Sequence, residues 1–143
     1  MINLLPGISS SASALDAERI RMDVIAQNIA NANVTHDVDG KPYQRQEVVF
    51  ESVLNAAQNA DSPDAAAQTV QIARVQKDAR PPRMIYNPGH PDANAEGMVA
   101  FPNINIHEEM VDMIASSRSY EANLAVVKNA RAMAMQALSI AKH

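Results

Sequence analysis

Apolar residues recur every seven positions in the first part of the chain, as they do along one side of a helix that packs against a partner. The series is Ile8, Leu15, Met22 and Ile29, with Ile25 and Ala32 at the companion heptad position. This pattern predicts a coiled-coil-like helix of about 25 residues, roughly 37 Å long.

Polar residues suited to helix termini flank this series. Ser9, Ser10 or Ser11 is expected to cap the start, and Asn31 and Asn33 to form the turn at the exit.

A second apolar stripe lies on the opposite side of the same helix at 100° per residue. Its members are Ala17, Ile20 and Val24. One partner helix cannot cover both stripes.

The carboxyl-terminal segment predicts a longer helix, because no Gly or Pro occurs from Asn103 to His143. A helix of about 35 residues here would be roughly 50 Å long. Its apolar seam alternates four- and three-residue steps, with Arg131 as the one interruption: Ile106, Met110, Met113, Ser117, Tyr120, Leu124, Val127, Ala134, Leu138 and Ala141. A second stripe is predicted about 180° away: Val111, Ala115, Ala122, Val126, Met133, Ala137 and Ile140.

The two helices are therefore predicted to pack as an antiparallel hairpin that buries one stripe of each. The outer stripes stay in water, and since each methylene left there forgoes about 0.8 kcal/mol, they predict burial against other chains. An alternative is a compact bundle in which the middle segment folds back over one outer stripe, which a helical middle would favour.

The middle of the chain, however, has the composition of loops and short strands. Six of the eight prolines and three of the four glycines lie between Val34 and Pro102. β-Branched and aromatic residues predict strands at 46–53, 69–77, 83–86 and 97–101, forming a small antiparallel sheet or a long hairpin. The Ala-, Asp- and Gln-rich stretch from Asn55 to Gln68 is predicted to be a variable loop.

The predicted fold is thus mainly α with a small β insertion. Residues 1–33 form the amino-terminal helix of the coiled-coil unit, residues 34–102 the central loop and β region, and residues 103–143 the carboxyl-terminal helix.

Composition narrows the functional classes. Aromatic residues are only 3% of the chain while Ala occurs 25 times, which favours close helix packing. A net charge of −4 disfavours nucleic-acid binding, and the absence of Cys excludes disulfides and thiolate metal sites. No run approaches the roughly 20 apolar residues of a membrane-spanning helix. Met1 to Ser13 lacks the pattern of a cleaved secretory signal, so export would need another route.

Catalytic and metal-binding patterns are weak. His107–Glu108 resembles the start of a zinc-protease motif, but Val111 stands where the second imidazole is required. The stretch from Asp37 to Gly40 resembles a calcium loop without the necessary further oxygen ligands, which predicts a turn instead. We predict no catalytic residue, no cofactor and no metal.

Four blocks of sequence, in order, resemble the bacterial flagellar rod and hook proteins. They are IAQNIANANVT at 25–35 with YQR at 43–45, YNPGHPDANAEGMVAFP at 86–102, EMVDMI at 109–114, and SYEAN at 119–123. The third and the long second block are most similar to the proximal-rod members of that family. The family motif residues in this numbering are Asn28, Ala30, Asn31, Asn33, Thr35, Tyr43, Tyr120, Glu121 and Asn123.

The resemblance implies a structural subunit, exported through the flagellar type III secretion apparatus. It would polymerise with copies of itself and other rod proteins into the hollow drive shaft that crosses the periplasm, transmits torque and conducts exported subunits. The charge and the lack of a long apolar run, given above, predict no nucleic-acid partner and no integral membrane segment. The rival hypothesis is a soluble helical adaptor or export chaperone that binds a partner helix.

The outer stripes are the predicted intersubunit face. Its residues are Ile20, Val24, Val111, Val126, Met133 and Ile140. For the motif residues two interpretations stay open. The asparagines and tyrosines either contact neighbouring subunits or act locally, the asparagines in the helix exit and the tyrosines at the edge of the seam.

Overall fold

A computed structural model describes residues 5–37, 39–55 and 67–140 of the chain. Helix α1 spans Leu5–Ala30 and helix α2 spans Ile106–Ile140, and between them lie four strands. The strands are β1 (Gln46–Asn55), β2 (Ala67–Lys77), β3 (Arg83–Tyr86) and β4 (Met98–Phe101). The prediction of helical ends with a β-containing middle is confirmed, and the middle forms two separate two-stranded antiparallel sheets, β1–β2 and β3–β4.

The termini of the two helices follow local chemistry. α1 begins at Leu5, so the prediction that Ser9, Ser10 or Ser11 caps it is wrong. Pro6 lies in the first turn instead, where a missing N–H costs nothing. α2 is capped by Asn105, whose Oδ1 accepts a hydrogen bond from the His107 amide at 3.1 Å.

The two helices run in opposite directions along each other. Asn28, near the end of α1, contacts Glu109 in the first turn of α2. Glu18, half-way along α1, accepts a hydrogen bond from the Ser116 hydroxyl. Residues further along α2 therefore contact residues nearer the start of α1, as in an antiparallel pair.

The side of α2 that packs against α1 is rotated from the predicted one. At alternate steps of the seam, the buried residue lies one position earlier in the chain than predicted. Met113, Tyr120, Val127 and Ala134 lie half-buried on it, as predicted, but their buried companions lie at Glu109, Ser116 and Ala130. The predicted seam residues Ile106, Met110 and Leu138 are exposed instead, whereas Ser117 and Leu124 are half-buried as predicted. The turned seam explains the interruption at Arg131, because Ala130 takes the inward position. The physical reason is that small and polar side chains, not the bulkiest ones, fit the close contact with α1.

The β1–β2 hairpin covers the side of α1 that faces away from α2. The Val70 amide donates to the Ser13 hydroxyl at 3.2 Å, and the Gln46 amide donates to Asn28 at the other end. Since Gln46 pairs with Lys77, β2 runs from Ser13 towards Asn28 along the helix. The fifteen-residue step from Ser13 to Asn28 on the helix and the seven-residue step from Val70 to Lys77 on the strand both span about 23 Å, so the two segments match in length.

The predicted exposure of the second α1 stripe is therefore wrong at two positions. Ala17 and Val24 are buried, Val24 to 7% exposure, and only Ile20 stays at the surface. The compact alternative, in which the middle segment covers one outer stripe, holds for α1, although the cover is a β-hairpin and not a helix. The Arg21 guanidinium lies 5.8 Å from the centre of the Phe50 ring across this contact.

A β-bulge interrupts the hairpin. Val49 pairs with Arg74 and Phe50 pairs with Ile72, which leaves Ala73 as an extra residue in β2. The inward and outward positions of β2 therefore exchange at this point.

The second sheet, β3–β4, leads the chain into α2. Val99 at its centre is fully buried, and Pro102 and Ile104 are buried just after it. The preceding turn closes at Gly97, which has a φ of 74° and lies against the Tyr86 ring. A side chain there would be strained in conformation and would collide with that ring.

Several sequence predictions fall outside the described residues. Residues 56–66 of the predicted variable loop belong to this group, as do Ala141 of the seam and His143. The three-part domain division stays a prediction. No helix within the described ranges is long and apolar enough to cross a membrane.

Candidate functional site

Asn28 lies at the point where α1, β1 and α2 meet. Its side chain is 1% exposed. Nδ2 donates to the Gln46 carbonyl oxygen at 2.8 Å and to Glu109 Oε2 at 3.0 Å. Oδ1 accepts from the Gln46 amide at 2.9 Å and from the Tyr43 hydroxyl at 3.2 Å. Both donors and both acceptor positions of the amide are used, so Asn28 ties three elements together.

Glu109 supplies the charge at this junction. Its side chain is 1% exposed and its Oε1 accepts from Arg45 Nε at 2.6 Å. The guanidinium also lies 3.9 Å from Asp112, at the more exposed side. A carboxylate at this depth is tolerated because it is paired and hydrogen-bonded. We call Asn28, Tyr43, Arg45 and Glu109 the polar cluster.

Tyr43 completes the polar cluster at its edge. Burial raises the pKa of its phenol above the ordinary value, and the negative charges of Glu109 and Asp37 raise it further. The phenol is therefore a neutral hydrogen-bond donor to Asn28 throughout the physiological pH range.

The polar cluster has the properties of a structural junction. Every polar side-chain atom buried in the part of the chain that the structure describes has a hydrogen-bond partner. Both oxygens of the Glu109 carboxylate accept hydrogen bonds from within the chain, one from Arg45 and one from Asn28, so the group joins elements of the fold. Among these same residues no group of three His, Asp or Glu side chains is arranged to hold a metal ion.

Sequence reasoning did not single out Arg45 and Glu109. Both stand inside blocks that carry the family resemblance, which was one available signal. The other was the heptad position of Glu109, four residues before Met113 on the seam. A charged residue at such a position needs a buried partner, and Arg45 supplies it.

A second polar contact joins the exit of α1 to the connector before β4. The Thr35 hydroxyl donates to Asp92 Oδ2 at 2.7 Å. His36 and His90 lie on either side of this carboxylate, with Nδ1 at 4.0 Å and 3.8 Å from its oxygens. The motif residue Thr35 thus acts within the chain, tying the helix exit to the segment that enters α2.

The other amino-terminal motif residues lie around the same exit. Asn31 donates from Nδ2 to the Gln27 carbonyl oxygen at 2.8 Å, a local bond at the helix end. Ala30 and Asn33 are exposed. The predicted turn from Asp37 to Gly40 is confirmed by the Gly40 amide, which donates to the Asp37 carbonyl oxygen at 2.9 Å.

The carboxyl-terminal motif lies elsewhere. Tyr120 and Asn123 are half-buried along the α2 seam, while Glu121 is exposed. Tyr120 is eleven residues beyond Glu109, about 16 Å along the helix axis. The structure therefore does not bring the two family signatures into one site.

The outer stripe of α2 carries exposed apolar side chains. Its predicted intersubunit residues are between 51% and 72% exposed: Val111, Val126, Met133 and Ile140. We call these four residues the α2 stripe. Of the two predicted residues on α1, Ile20 is exposed and Val24 is buried under the hairpin. Whether any of them contacts a neighbouring subunit stays a prediction.

Comparison with known proteins places this architecture in one family. The family model described as "Flagella basal body rod protein" matches residues 8–36, which include α1 and its exit turn. The model described as "Flagellar basal body rod FlgEFG protein C-terminal" matches residues 95–140, which include β4 and α2.

Individual relatives match over nearly their whole length. The flagellar basal-body rod protein FlgC of Borreliella burgdorferi is 38% identical, with 97% of this chain and 98% of the relative covered. FlgC of Bacillus subtilis is 39% identical over 94% of this chain and 96% of its own. FlgC of Escherichia coli O157:H7 is 38% identical over 91% and 92%. The chain belongs to the FlgC family of flagellar basal-body rod proteins.

Proposed function

We propose that this chain is a structural subunit of the flagellar basal-body rod that assembles through the α2 stripe. Copies of the chain and other rod proteins would pack into a hollow shaft that transmits torque and conducts exported subunits. The observation that carries the proposal is the α2 stripe, an apolar surface left open beside a seam that is already satisfied by α1. Rod proteins are structural, so a member of this family is not an enzyme.

The energetics favour burial of the α2 stripe against a neighbour. Fully burying one large aliphatic side chain is worth about 1.5–3 kcal/mol. The α2 stripe extends from Val111 to Ile140, about 43 Å at the helical rise. If the α2 stripe of one subunit packs against a different face of the next, the contact is heterologous, and it extends into a helical assembly when the rotation between subunits does not close a ring.

We further propose that α1 and α2 pair in a coiled-coil-like manner within each subunit. The seven-residue recurrence of Met113, Tyr120 and Val127 on the half-buried side of α2 supports this pairing. The family relationship supports export through the flagellar type III apparatus as the route to the rod.

The experiment compares two charge substitutions on α2 in a cell that lacks its own copy of the protein. Val126→Asp places a charge on the α2 stripe. Met135→Asp places the same charge nine residues on, on the opposite side of the helix at 100° per residue, at a position that is equally open to solvent. Neither position is buried, so both purified variants should keep the circular dichroism and melting temperature of the unchanged chain.

We expect Val126→Asp to abolish incorporation into isolated basal bodies and motility, and Met135→Asp to retain most of both. Equal losses would mean that added charge, not the α2 stripe, causes the defect. Normal rods with Val126→Asp would refute the assigned face. If basal bodies form normally without the chain and only the stability of another exported protein falls, the adaptor hypothesis replaces the rod hypothesis.

A further inference from the structure

The hydrophobic seam between α1 and α2 does not by itself define how the helices align. On α1 the apolar series recurs every seven residues, at Leu15, Met22 and Ile29. On α2 the half-buried series also recurs every seven, at Met113, Tyr120 and Val127. Sliding one helix along the other by seven residues, about 10.5 Å, restores a nearly equivalent apolar contact.

The polar cluster distinguishes these alignments. In the observed one, Asn28 faces Glu109 and Glu18 faces Ser116. A slip of seven residues in one direction brings Ser116 opposite Asn28 and removes the carboxylate from Arg45. That leaves a partly buried guanidinium without the partner it holds at 2.6 Å.

A slip in the other direction is opposed by charge repulsion. It brings Glu109 opposite Glu18, so two carboxylates meet inside the seam. It also brings Pro102, which precedes α2, opposite Asn28, where no helical partner exists. Both shifted alignments therefore lose hydrogen bonds that the observed alignment satisfies completely.

We propose that the polar cluster sets the register of the α1–α2 pair. A buried ion pair contributes little stability compared with well-packed apolar residues of similar volume, because both charges must be desolvated. A polar residue at one seam position fixes register in coiled coils for the same reason. Glu109 is accordingly a positioning residue, and the inference holds whether or not the chain assembles into rods.

The test measures register directly in the full chain. The chain contains no Cys, so Asp23→Cys and Arg131→Cys, both at exposed positions, take spin labels at those two sites only. Because the two sites are far apart along the helix axis, a seven-residue slip changes their separation by about 10 Å. Double electron–electron resonance resolves such a change.

The variant that removes the polar cluster combines Asn28→Leu, Arg45→Met and Glu109→Leu. The labelled chain with an intact polar cluster should give one distance. The triple variant should stay folded at a lower melting temperature, because the Gln46 amide and carbonyl lose their hydrogen bonds to Asn28. It should show a second distance, with a population at least about tenfold above the level in the intact chain. The control is Arg80→Met, which removes the exposed Arg80–Asp78 ion pair and should leave a single distance.

A folded triple variant with one unchanged distance would overturn the proposal and assign the register to the packing of the connector around Val99 and Ile104. Should the triple variant lose its helical circular dichroism, Glu109→Gln takes its place. That change keeps the shape of the side chain but removes the charge that Arg45 binds. It should produce the second distance at a smaller population, and a single distance there would equally reject the proposal.

Discussion

The two long helices have the same two-sided apolar pattern but are covered in different ways. α1 packs against α2 on one side and the β1–β2 hairpin on the other, and Val24 is 7% exposed. Among the helices and strands that the structure describes, α2 packs against α1 alone, and Val126 in its second stripe is 51% exposed. A two-sided pattern therefore shows that two partners are required, but not whether the second partner belongs to the same chain.

The largest loss of stability should follow from removing the contact that joins the two helices. Glu109→Ala leaves Arg45 and Asn28 without their buried partner, and we expect a loss of about 3–5 kcal/mol in the free energy of unfolding. Urea denaturation of the purified chain measures it. Glu121→Ala, at an exposed position further along the same helix, is the control and should change stability by about 0.5 kcal/mol or less.

A smaller loss of stability should distinguish the covered stripe of α1 from the exposed stripe of α2. Val24→Ala removes two buried methyl groups between α1 and the hairpin, and should cost about 2 kcal/mol in the isolated chain. Val126→Ala removes the same groups from an exposed position and should stay within about 0.5 kcal/mol. Equal losses in urea denaturation would show that α2 has a cover on its second side within the single chain.

The smallest effect concerns the edge of the polar cluster. Tyr43→Phe removes one hydrogen bond to Asn28 and should cost about 1 kcal/mol near neutral pH. Because the pKa of Tyr43 is raised on folding, its proton is held more tightly in the folded state. Its contribution is complete below the unfolded-state pKa of about 10 and is lost as pH rises through the folded-state value.

Absorbance titration of tyrosinate checks the pH dependence. The unchanged chain should show an ionisation above the ordinary tyrosine range that Tyr43→Phe lacks. If that ionisation persists in the variant, it belongs to another tyrosine and the assignment to Tyr43 fails.

Much of the fold was predictable because it depends on local chemistry. The strands begin and end close to the β-branched runs that predicted them, and α1 ends just before Asn31 and Asn33, which turn the chain as expected. The seam of α2 was predicted with the correct heptad positions at Met113, Tyr120 and Val127. The companion positions Met110 and Leu138 were wrong because bulk was taken as the sign of burial, whereas Ser117 and Leu124 are half-buried as predicted.

The cover of α1 and the polar cluster were not predictable in the same way. The bulge at Ala73 breaks the alternation that would have marked β2 as having one apolar face. The polar cluster joins residues 64 and 81 positions apart, and its geometry follows from the packing of three elements. Asn28 and Tyr43 are motif residues, but nothing local to them indicates that Tyr43 donates to Asn28 and that Asn28 donates to Glu109.

The contact with α1 covers the first part of α2 better than the last part. The backbone hydrogen bonds of this one helix should therefore open more readily towards its end. Amides between Glu109 and Val127 are held by the contact with α1, whereas the turns past Ala134 have almost no buried side chains. Hydrogen exchange should be slow in the first part and fast in the second. Ordering this end costs conformational entropy, which the contacts made by a neighbouring molecule must offset. Only a well-fitting neighbour makes enough contact to remain attached.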